Sequence, residues 1–330
     1  MDLNKIKKLV IIRLSSLGDI LLTTPLIRSI KKQFPQIEID FILKEQYKDV
    51  LLYNPYLFKM YTYNTEPKQN VSFFNELKKN KYDLVIDLQK NFRSAQIKRK
   101  LEIPTVGFDK KTFEKFLLVH FKINKLKDSP QIAIRYAQSL NGISLDGDGL
   151  DLFLPEDIHS QLNDKNNYIG IAPGSRHFTK MWPVEYYIRL GNILSGNGYK
   201  VVLFGGKDDM QICSNIGNKI DNSINLCNED KLFQTAIDMK KCSVFVCNDS
   251  GYMHAASALK VPVLAFFGST VQEFGFAPYK NNNIILENNS LTCRPCSHIG
   301  RKSCPKKHFK CMTELTPETA FNKLKMILKS

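Results

Sequence analysis

Long apolar runs are missing from this sequence. No stretch approaches the roughly 20 consecutive apolar residues that a membrane-spanning helix requires. The first apolar run, from Leu9 to Ile12, ends at Arg13, whereas the core of a secretory signal needs roughly 7–15 such residues. We therefore expect a cytoplasmic protein whose contact with a membrane is at most peripheral.

Acidic residues are scarce. The chain has 32 Asp and Glu against 47 Lys and Arg, which leaves a formal net charge of +15. An excess of this size predicts an anionic partner: nucleic acid, an acidic membrane surface or a phosphorylated substrate. The basic stretches lack a nucleic-acid recognition motif and interleaved exposed aromatic residues, so we expect no nucleic-acid partner.

Strand and helix signals alternate along a chain that is long enough, at 330 residues, for two hydrophobic cores. Strands are predicted at 9–14, 37–43, 83–88, 168–173, 200–205, 223–227, 243–248 and 261–268, and helices at 20–33, 71–80, 110–122, 183–194, 231–241, 252–259 and 317–328. This alternation predicts an α/β protein with two doubly wound domains in series. The segment 141–167, rich in Gly, Asp and Asn, marks the boundary between domains 1–155 and 156–330.

The first predicted turn from strand to helix ends in Gly18 and Asp19. It has no GxGxxG pattern and so does not match the dinucleotide fingerprint. A carboxylate at the carboxyl end of a strand can accept a proton from a sugar hydroxyl, which makes Asp19 a candidate base. The alternative is a helix cap or a first-turn acid that stabilises the helix dipole, and the spacing alone favours that alternative.

Residues 173–183 form a predicted loop that leads into a helix. The loop carries Ser175, Arg176 and Lys180 just ahead of the helix N-terminus. Hydroxyls, backbone N–H groups and a cationic side chain in that position suit a diphosphate. An ordinary surface loop with solvated basic residues has the same composition, so both interpretations stay open. Trp182, in the same loop, is expected to pack in the core rather than to stack on a ligand.

A second polar loop follows the strand at 243–248 and opens a helix. Ser250 and Gly251 can present N–H groups to a phosphate, and Asp249 can hold sugar hydroxyls or cap the helix. His254 fits a hydrogen-bonded structural histidine better than a catalyst. Asp209, after the strand at 200–205, can take ribose hydroxyls.

Two basic stretches are candidates for an anionic acceptor or membrane surface. One is Lys98, Arg99 and Lys100, and the other starts with Lys110 and Lys111 and continues as the amphipathic helix to residue 122. Such a helix can engage acidic lipid. A helix that packs on the core with a solvated lysine edge would show the same pattern.

Four cysteines lie within one short segment, and they are Cys293, Cys296, Cys304 and Cys311. With His308 they supply enough ligands for a structural zinc ion. Their spacing matches no standard zinc finger, and reduced thiols that pack in the protein are the simpler interpretation.

Several of these stretches, in this order, resemble the ADP-heptose:lipopolysaccharide heptosyltransferases, glycosyltransferase family 9. The stretches that carry the resemblance are 12–35, 169–187, 202–209, 247–270 and 293–312. The resemblance implies the GT-B architecture, in which two Rossmann-like domains face each other across a cleft. It also implies an N-terminal acceptor domain, a C-terminal nucleotide-sugar domain and a last helix, about 317–328, that crosses back to the first domain. The cysteine segment is most similar to that of heptosyltransferase II.

The same resemblance implies roles for individual residues. Asp19 falls on the proposed general base and Lys180 on the lysine that neutralises the donor diphosphate. Ser175, Ser250 and Gly251 lie in matching phosphate loops, and Asp249 matches an acid associated with the sugar hydroxyls. His254 falls on a family position, and Asp209 replaces a glutamate that binds ribose. Arg176 follows Ser175 in the phosphate loop and is expected at the donor site as its neighbour, although it matches no family residue.

The implied reaction is an inverting transfer of heptose from ADP-L-glycero-D-manno-heptose that needs no metal or other cofactor. The implied acceptor is the lipid A–Kdo/heptose inner core at the inner face of the cytoplasmic membrane. Two alternatives stay open. The same fold can use another nucleotide sugar or a protein or capsule acceptor, or it can serve as a non-catalytic protein that binds an anionic glycolipid.

Overall fold

The computed structural model describes residues 2–64, 71–164 and 167–329. The strands are β1 (Lys8–Ile12), β2 (Glu38–Leu43), β3 (Lys59–Thr62), β4 (Leu84–Asp87), β5 (Thr105–Gly107), β6 (Tyr168–Ala172), β7 (Lys200–Leu203), β8 (Ile224–Asn225), β9 (Cys242–Asn248), β10 (Val263–Phe267) and β11 (Asn283–Glu287). The helices are α1 (Leu17–Leu21), α2 (Thr24–Gln33), α3 (Val71–Lys79), α4 (Phe92–Leu101), α5 (Thr112–Phe121), α6 (Ile132–Ala137), α7 (Val184–Gly196), α8 (Met210–Gly217), α9 (Leu232–Met239), α10 (Gly251–Ala258), α11 (Lys310–Thr313) and α12 (Pro317–Leu328).

The strands of the described residues form two parallel sheets. The first has the order β3-β2-β1-β4-β5 and the second the order β11-β10-β9-β6-β7-β8. In each sheet the order reverses beside its first strand, between β1 and β4 and between β6 and β9. Ligands of doubly wound sheets bind beyond the carboxyl ends of the strands at such a reversal. The predicted α/β class and the two doubly wound sheets are confirmed.

The chain divides into two compact units. The first contains Met1–Lys110 and Ile132–Phe153, and the second contains Lys111–Gln131 and Leu154–Ser330. The sequence analysis placed 111–131 in the first domain. These residues join the second unit because Leu118 and Leu126 pack against Val271 and Phe274.

The last helix, α12, stays with the second unit, contrary to the expectation that it crosses back to the first. Its buried residues Ala320, Leu324 and Ile327 lie in the core beneath the second sheet, beside Leu190 and Leu194 of α7. The apolar face of α12 is therefore satisfied within its own unit.

The first part of the predicted boundary segment 141–167, up to Phe153, is tied to the first unit by a buried arginine, and the part from Leu154 belongs to the second unit. Residues 165 and 166 lie outside the described residues. Arg28 of α2 has a side chain that is 4% exposed. It donates hydrogen bonds to both carboxylate oxygens of Asp146, at 2.8 and 2.7 Å, and it also bonds Asp151 and the carbonyl oxygen of Gly149. The ion pair with Arg28 holds the pKa of Asp146 far below its usual range.

Replacing Arg28 with methionine should destabilise the first unit by about 3 kcal/mol, because the substitution strips two carboxylates of their buried partner. Thermal denaturation at neutral pH measures the loss. Lys32→Ala is the matched control, since Lys32 bonds the same Asp146 from a side chain that is 48% exposed. It should cost much less than Arg28→Met, because water and salt screen an exposed ion pair. A carboxyl group whose pKa is lowered by folding stabilises the folded state at pH values above its unfolded pKa of about 3.9. The difference in melting temperature between wild type and Arg28→Met should therefore shrink as the pH falls below that value.

Candidate active-site residues

Asn248 hydrogen-bonds the loop after β6 to the end of β9, at the point where the second sheet reverses its order. Its side chain is fully buried at the carboxyl end of β9. The amide nitrogen donates to the carbonyl oxygen of Pro173 at 2.8 Å, and the amide oxygen accepts from the backbone N–H of Trp182 and the hydroxyl of Tyr187, both at 3.0 Å. The loop after β6 is thereby held against the end of β9. As predicted, Trp182 packs in the core, where it stacks on Phe266.

Lys180 and Asp249 form an ion pair at this position. The Nζ atom of Lys180 lies 2.8 Å from Oδ2 of Asp249, and the two side chains are 15% and 10% exposed. The hydroxyl of Thr270 donates to the same Oδ2 atom at 2.7 Å. Sequence analysis assigned these two charges to separate loops, and the structure brings them into contact.

The loop that carries Lys180 is strongly cationic. Burial lowers the pKa of His177, and the neighbouring positive charges of Lys180 and Arg176 lower it further. Arg176 is exposed, whereas Ser175 is partly buried. A cationic loop at a sheet reversal is a suitable place for an anionic ligand.

The start of α10 has donors available beside Asp249. Ser250 is the N-cap residue, and its side chain makes no capping hydrogen bond. Its Oγ atom is buried and has no partner within the described parts of the chain. Gly251 begins the helix, whose first N–H groups have no intrahelical acceptor. His254 is buried on the next turn of the helix.

Asp209 packs directly against the loop after β6. A Cβ atom placed on Gly174 would lie 1.9 Å from Oδ1 of Asp209. The other carboxylate oxygen accepts from the backbone N–H of Gly206 at 3.2 Å. Burial raises the pKa of Asp209, and the nearby carboxylates of Asp208 and Asp230 raise it further. Asp209 therefore lies beside the same loop as Lys180.

In the first unit, Asp19 lies on the first turn of α1, at the reversal between β1 and β4. Its Oδ1 atom pairs with Nη2 of Arg13 at 2.6 Å, and its Oδ2 atom accepts from the backbone N–H and hydroxyl of Ser16 at 3.1 and 2.8 Å. Burial opposes ionisation, but the charge of Arg13 and the bonds from Ser16 outweigh it and lower the pKa of Asp19. The side chain is 19% exposed. Asp19 thus stabilises the helix start and also presents an ionised carboxylate at the sheet edge.

The predicted basic stretches are divided between local contacts and solvent. Lys98 pairs with buried Asp87 at 2.8 Å, and Lys110 donates to the carbonyl oxygen of Lys90 at 2.9 Å. Burial and the nearby charge of Arg13 lower the pKa of Lys110. The remaining three residues of the two stretches are Arg99, Lys100 and Lys111. Arg99 and Lys100 are exposed in the last turn of α4, and Lys111 lies 3.6 Å from Glu114.

The cysteine segment is organised around the buried side chain of Arg294. The Arg294 side chain is 4% exposed and donates to the carbonyl oxygens of Phe267, Gly268 and Thr270 as well as to Glu287. Within 2–64, 71–164 and 167–329, no three His, Cys, Asp or Glu side chains are grouped to hold a metal ion. The zinc ion at the four cysteines stays a prediction.

Sequence analysis missed Asn248, Thr270 and Arg294, which position the residues that it did find. Asn248 is the last residue of β9, and its bonding partners lie more than 60 positions away along the chain. The signal in the sequence was a polar residue at the end of an apolar run. Asn248 ends such a run, and so does Arg13, which pairs with Asp19.

Known proteins resemble this chain in both sequence and fold. The sequence profile of Glycosyltransferase family 9 (heptosyltransferase) matches residues 70–310. Lipooligosaccharide heptosyltransferase 2 of Campylobacter jejuni is 30% identical over 95% of this chain and 96% of its own length. A family 9 glycosyltransferase from Veillonella parvula superposes with a TM-score of 0.81 at 24% identity, covering 99% of this chain and 98% of that one. An Escherichia coli heptosyltransferase solved with ADP-2-deoxy-2-fluoro heptose gives a TM-score of 0.71 at 18% identity, covering 97% and 99%. The fold is the GT-B fold of these structures.

Proposed function

Because the chain belongs to glycosyltransferase family 9, the heptosyltransferases, we propose that it transfers heptose from ADP-L-glycero-D-manno-heptose to the inner core of lipopolysaccharide. The observation that carries this proposal is the contact between Lys180 and Asp249 at the reversal of the second sheet. An ammonium group, a Ser250 hydroxyl that has no partner among the described residues, and a helix N-terminus together supply the chemistry that binds a diphosphate.

The donor half of the reaction follows from these groups. Negative charge builds on the diphosphate as its bond to the sugar breaks. Lys180 and the N–H groups of Ser250 and Gly251 stabilise that charge, so no metal ion is required for this step. Asp249 holds Lys180 in place and accepts hydrogen bonds from sugar hydroxyls. Asp209 binds ribose, while Ser175 and Arg176 contact the phosphates.

The acceptor half of the reaction depends on Asp19. Its carboxylate takes the proton of the acceptor hydroxyl as that oxygen attacks the anomeric carbon on the face opposite ADP. The attack inverts the configuration at that carbon. Arg13 keeps Asp19 ionised, and ionisation is the state in which a base can accept a proton.

The acceptor is lipid-linked, so we place the enzyme at the inner face of the cytoplasmic membrane. No helix within the described residues is long and apolar enough to cross a membrane. The association we propose is therefore peripheral.

Purified protein incubated with ADP-heptose and either Kdo-lipid A or its mono-heptosylated form tests the function. ADP release by chromatography and a mass gain of one heptose on the acceptor are the expected results, and the productive acceptor identifies which sugar is extended. Other nucleotide sugars offered in parallel define the donor. Absence of transfer to every lipid-linked core acceptor would contradict the proposal.

We expect Thr270 to contribute to donor turnover through its hydroxyl group alone. Thr270→Val keeps the shape but removes the bond to Asp249, and a bond to a charged group contributes about 1.5–3 kcal/mol. We expect kcat/KM for the donor to fall about 10- to 100-fold in steady-state assays of ADP release. Thr270→Ser keeps the hydroxyl and should stay close to wild type. A loss in Thr270→Ser with kcat/KM unchanged in Thr270→Val, at equal melting temperatures, would show that the methyl group matters instead.

A further inference from the structure

Helix α5 presents aromatic side chains to solvent. Phe113, Phe116 and Phe121 are 65%, 48% and 61% exposed, and Ile123 just beyond the helix is 48% exposed. The ring of Phe116 lies 5.9 Å from that of Phe121 and 4.6 Å from that of His120. We call Phe113, Phe116, Phe121 and Ile123 the aromatic face. Sequence analysis did not expect exposed aromatic residues among the lysines of this stretch.

The aromatic face is not the side that attaches α5 to its unit. Leu118 and Val119 are buried against Val271 and Phe274. Beyond the helix, Lys122 donates from Nζ to the carbonyl oxygens of Val119, Cys293 and Pro295. The helix is therefore attached to its unit through its other side, and the phenylalanines are left facing solvent.

The charges along the segment that carries the aromatic face are mostly positive. Residues 111–128 contain five lysines against two acidic residues, Glu114 and Asp128. Lys125 and Lys127 are exposed on either side of Leu126, which is buried and anchors the segment. Exposed phenylalanines among solvated lysines are the features of a surface that lies in the interface of an anionic bilayer.

We propose that the aromatic face inserts among the headgroups of an anionic lipid bilayer while Lys125 and Lys127 bind lipid phosphates. The rings leave water for the acyl boundary, and the ammonium groups stay at the level of the phosphates. This surface deepens the proposed function, because a lipid-linked acceptor lies in the same bilayer. Binding itself needs neither donor nor acceptor and is measured without them.

Co-sedimentation of the full chain with vesicles tests the surface. Wild-type protein should bind vesicles that contain phosphatidylglycerol and only weakly bind pure phosphatidylcholine. The triple variant Phe113→Ser, Phe116→Ser, Phe121→Ser should lose at least about tenfold in its partition coefficient. Lys125→Gln and Lys127→Gln should each lose about fivefold and reduce the dependence on salt. Phe58→Ser is the matched control, since Phe58 is 62% exposed in the first unit, and it should bind as wild type.

Activity on a delipidated, soluble acceptor separates the possible outcomes. The triple variant should keep wild-type activity on that acceptor and lose it on acceptor embedded in vesicles. Vesicle binding that is unchanged in the triple variant overturns the proposal, as does loss of activity on the soluble acceptor with vesicle binding intact, which would make the face an acceptor contact. Wild-type protein that binds vesicles but transfers no heptose would reject the function and leave this surface standing. If the triple variant has a lower melting temperature than wild type, the single variant Phe113→Ser is compared with wild type in the same vesicle-binding and activity assays.

Discussion

Lys180→Met should lower kcat for heptose transfer about 100- to 1,000-fold, the usual cost of removing one preorganised group that stabilises developing charge. The ammonium group lies 2.8 Å from Oδ2 of Asp249, and that carboxylate is 10% exposed. Without Lys180, the diphosphate would meet an unpaired negative charge as well as lose a positive one. The donor KM should therefore also rise, and steady-state ADP release measures both constants.

A double variant separates the two parts of that effect. Lys180→Met combined with Asp249→Asn removes the unpaired charge, so it should bind ADP more tightly than Lys180→Met alone in calorimetry. Lys219→Met is the control for loss of a lysine, because Lys219 is exposed in the same unit. A kcat for Lys180→Met within twofold of wild type would exclude Lys180 from charge stabilisation.

Asp19→Asn should lower kcat about 100- to 10,000-fold, the range for loss of a general base. Asparagine keeps the shape of the side chain and an oxygen that can accept from Ser16, so the start of α1 is preserved. The substitution leaves Arg13 without its carboxylate, and a melting curve shows how much stability that costs. Nearly unchanged kcat in Asp19→Asn would leave Asp19 with a capping role only.

The pH profile gives an independent measure of the same residue. Arg13 and Ser16 lower the pKa of Asp19, so its carboxylate stays ionised until the pH falls below the ordinary value of about 3.9. The kcat/KM of the wild type should therefore show no acid limb from Asp19 above that pH. In Arg13→Met, burial acts without the opposing charge, the pKa rises, and an acid limb should move to higher pH. A profile unchanged by Arg13→Met would argue against Asp19 as the base.

The sheets were predictable because their strands are local patterns. Apolar runs such as Val10–Ile12 and 243–248 mark parallel strands covered on both faces, and polar loops follow them at the carboxyl ends. The short strands β3, β5 and β11 were not predicted. Each has five residues or fewer, lies at the edge of its sheet and has at most one buried residue.

Contacts between residues that lie far apart in the sequence were not predictable. The loops of Lys180 and Asp249 carry recognisable chemistry, but nothing local in either one reports the 2.8 Å contact. Leu118 and Leu126 could have joined either core, since an apolar residue does not specify its neighbours. The same holds for α12, whose helical period was correctly predicted and whose attachment was not.

The assignment of residues 111–131 has a practical consequence for dividing this protein into fragments. The chain passes from one unit to the other at 110/111, at 131/132 and again at 153/154. A single cleavage near 155 would carry Leu118 and Leu126 away with the wrong piece and would leave Val271 and Phe274 bare on the other. To produce the two units separately, residues 111–131 should be joined to the second unit, and a linker should connect residue 110 to residue 132 in the first.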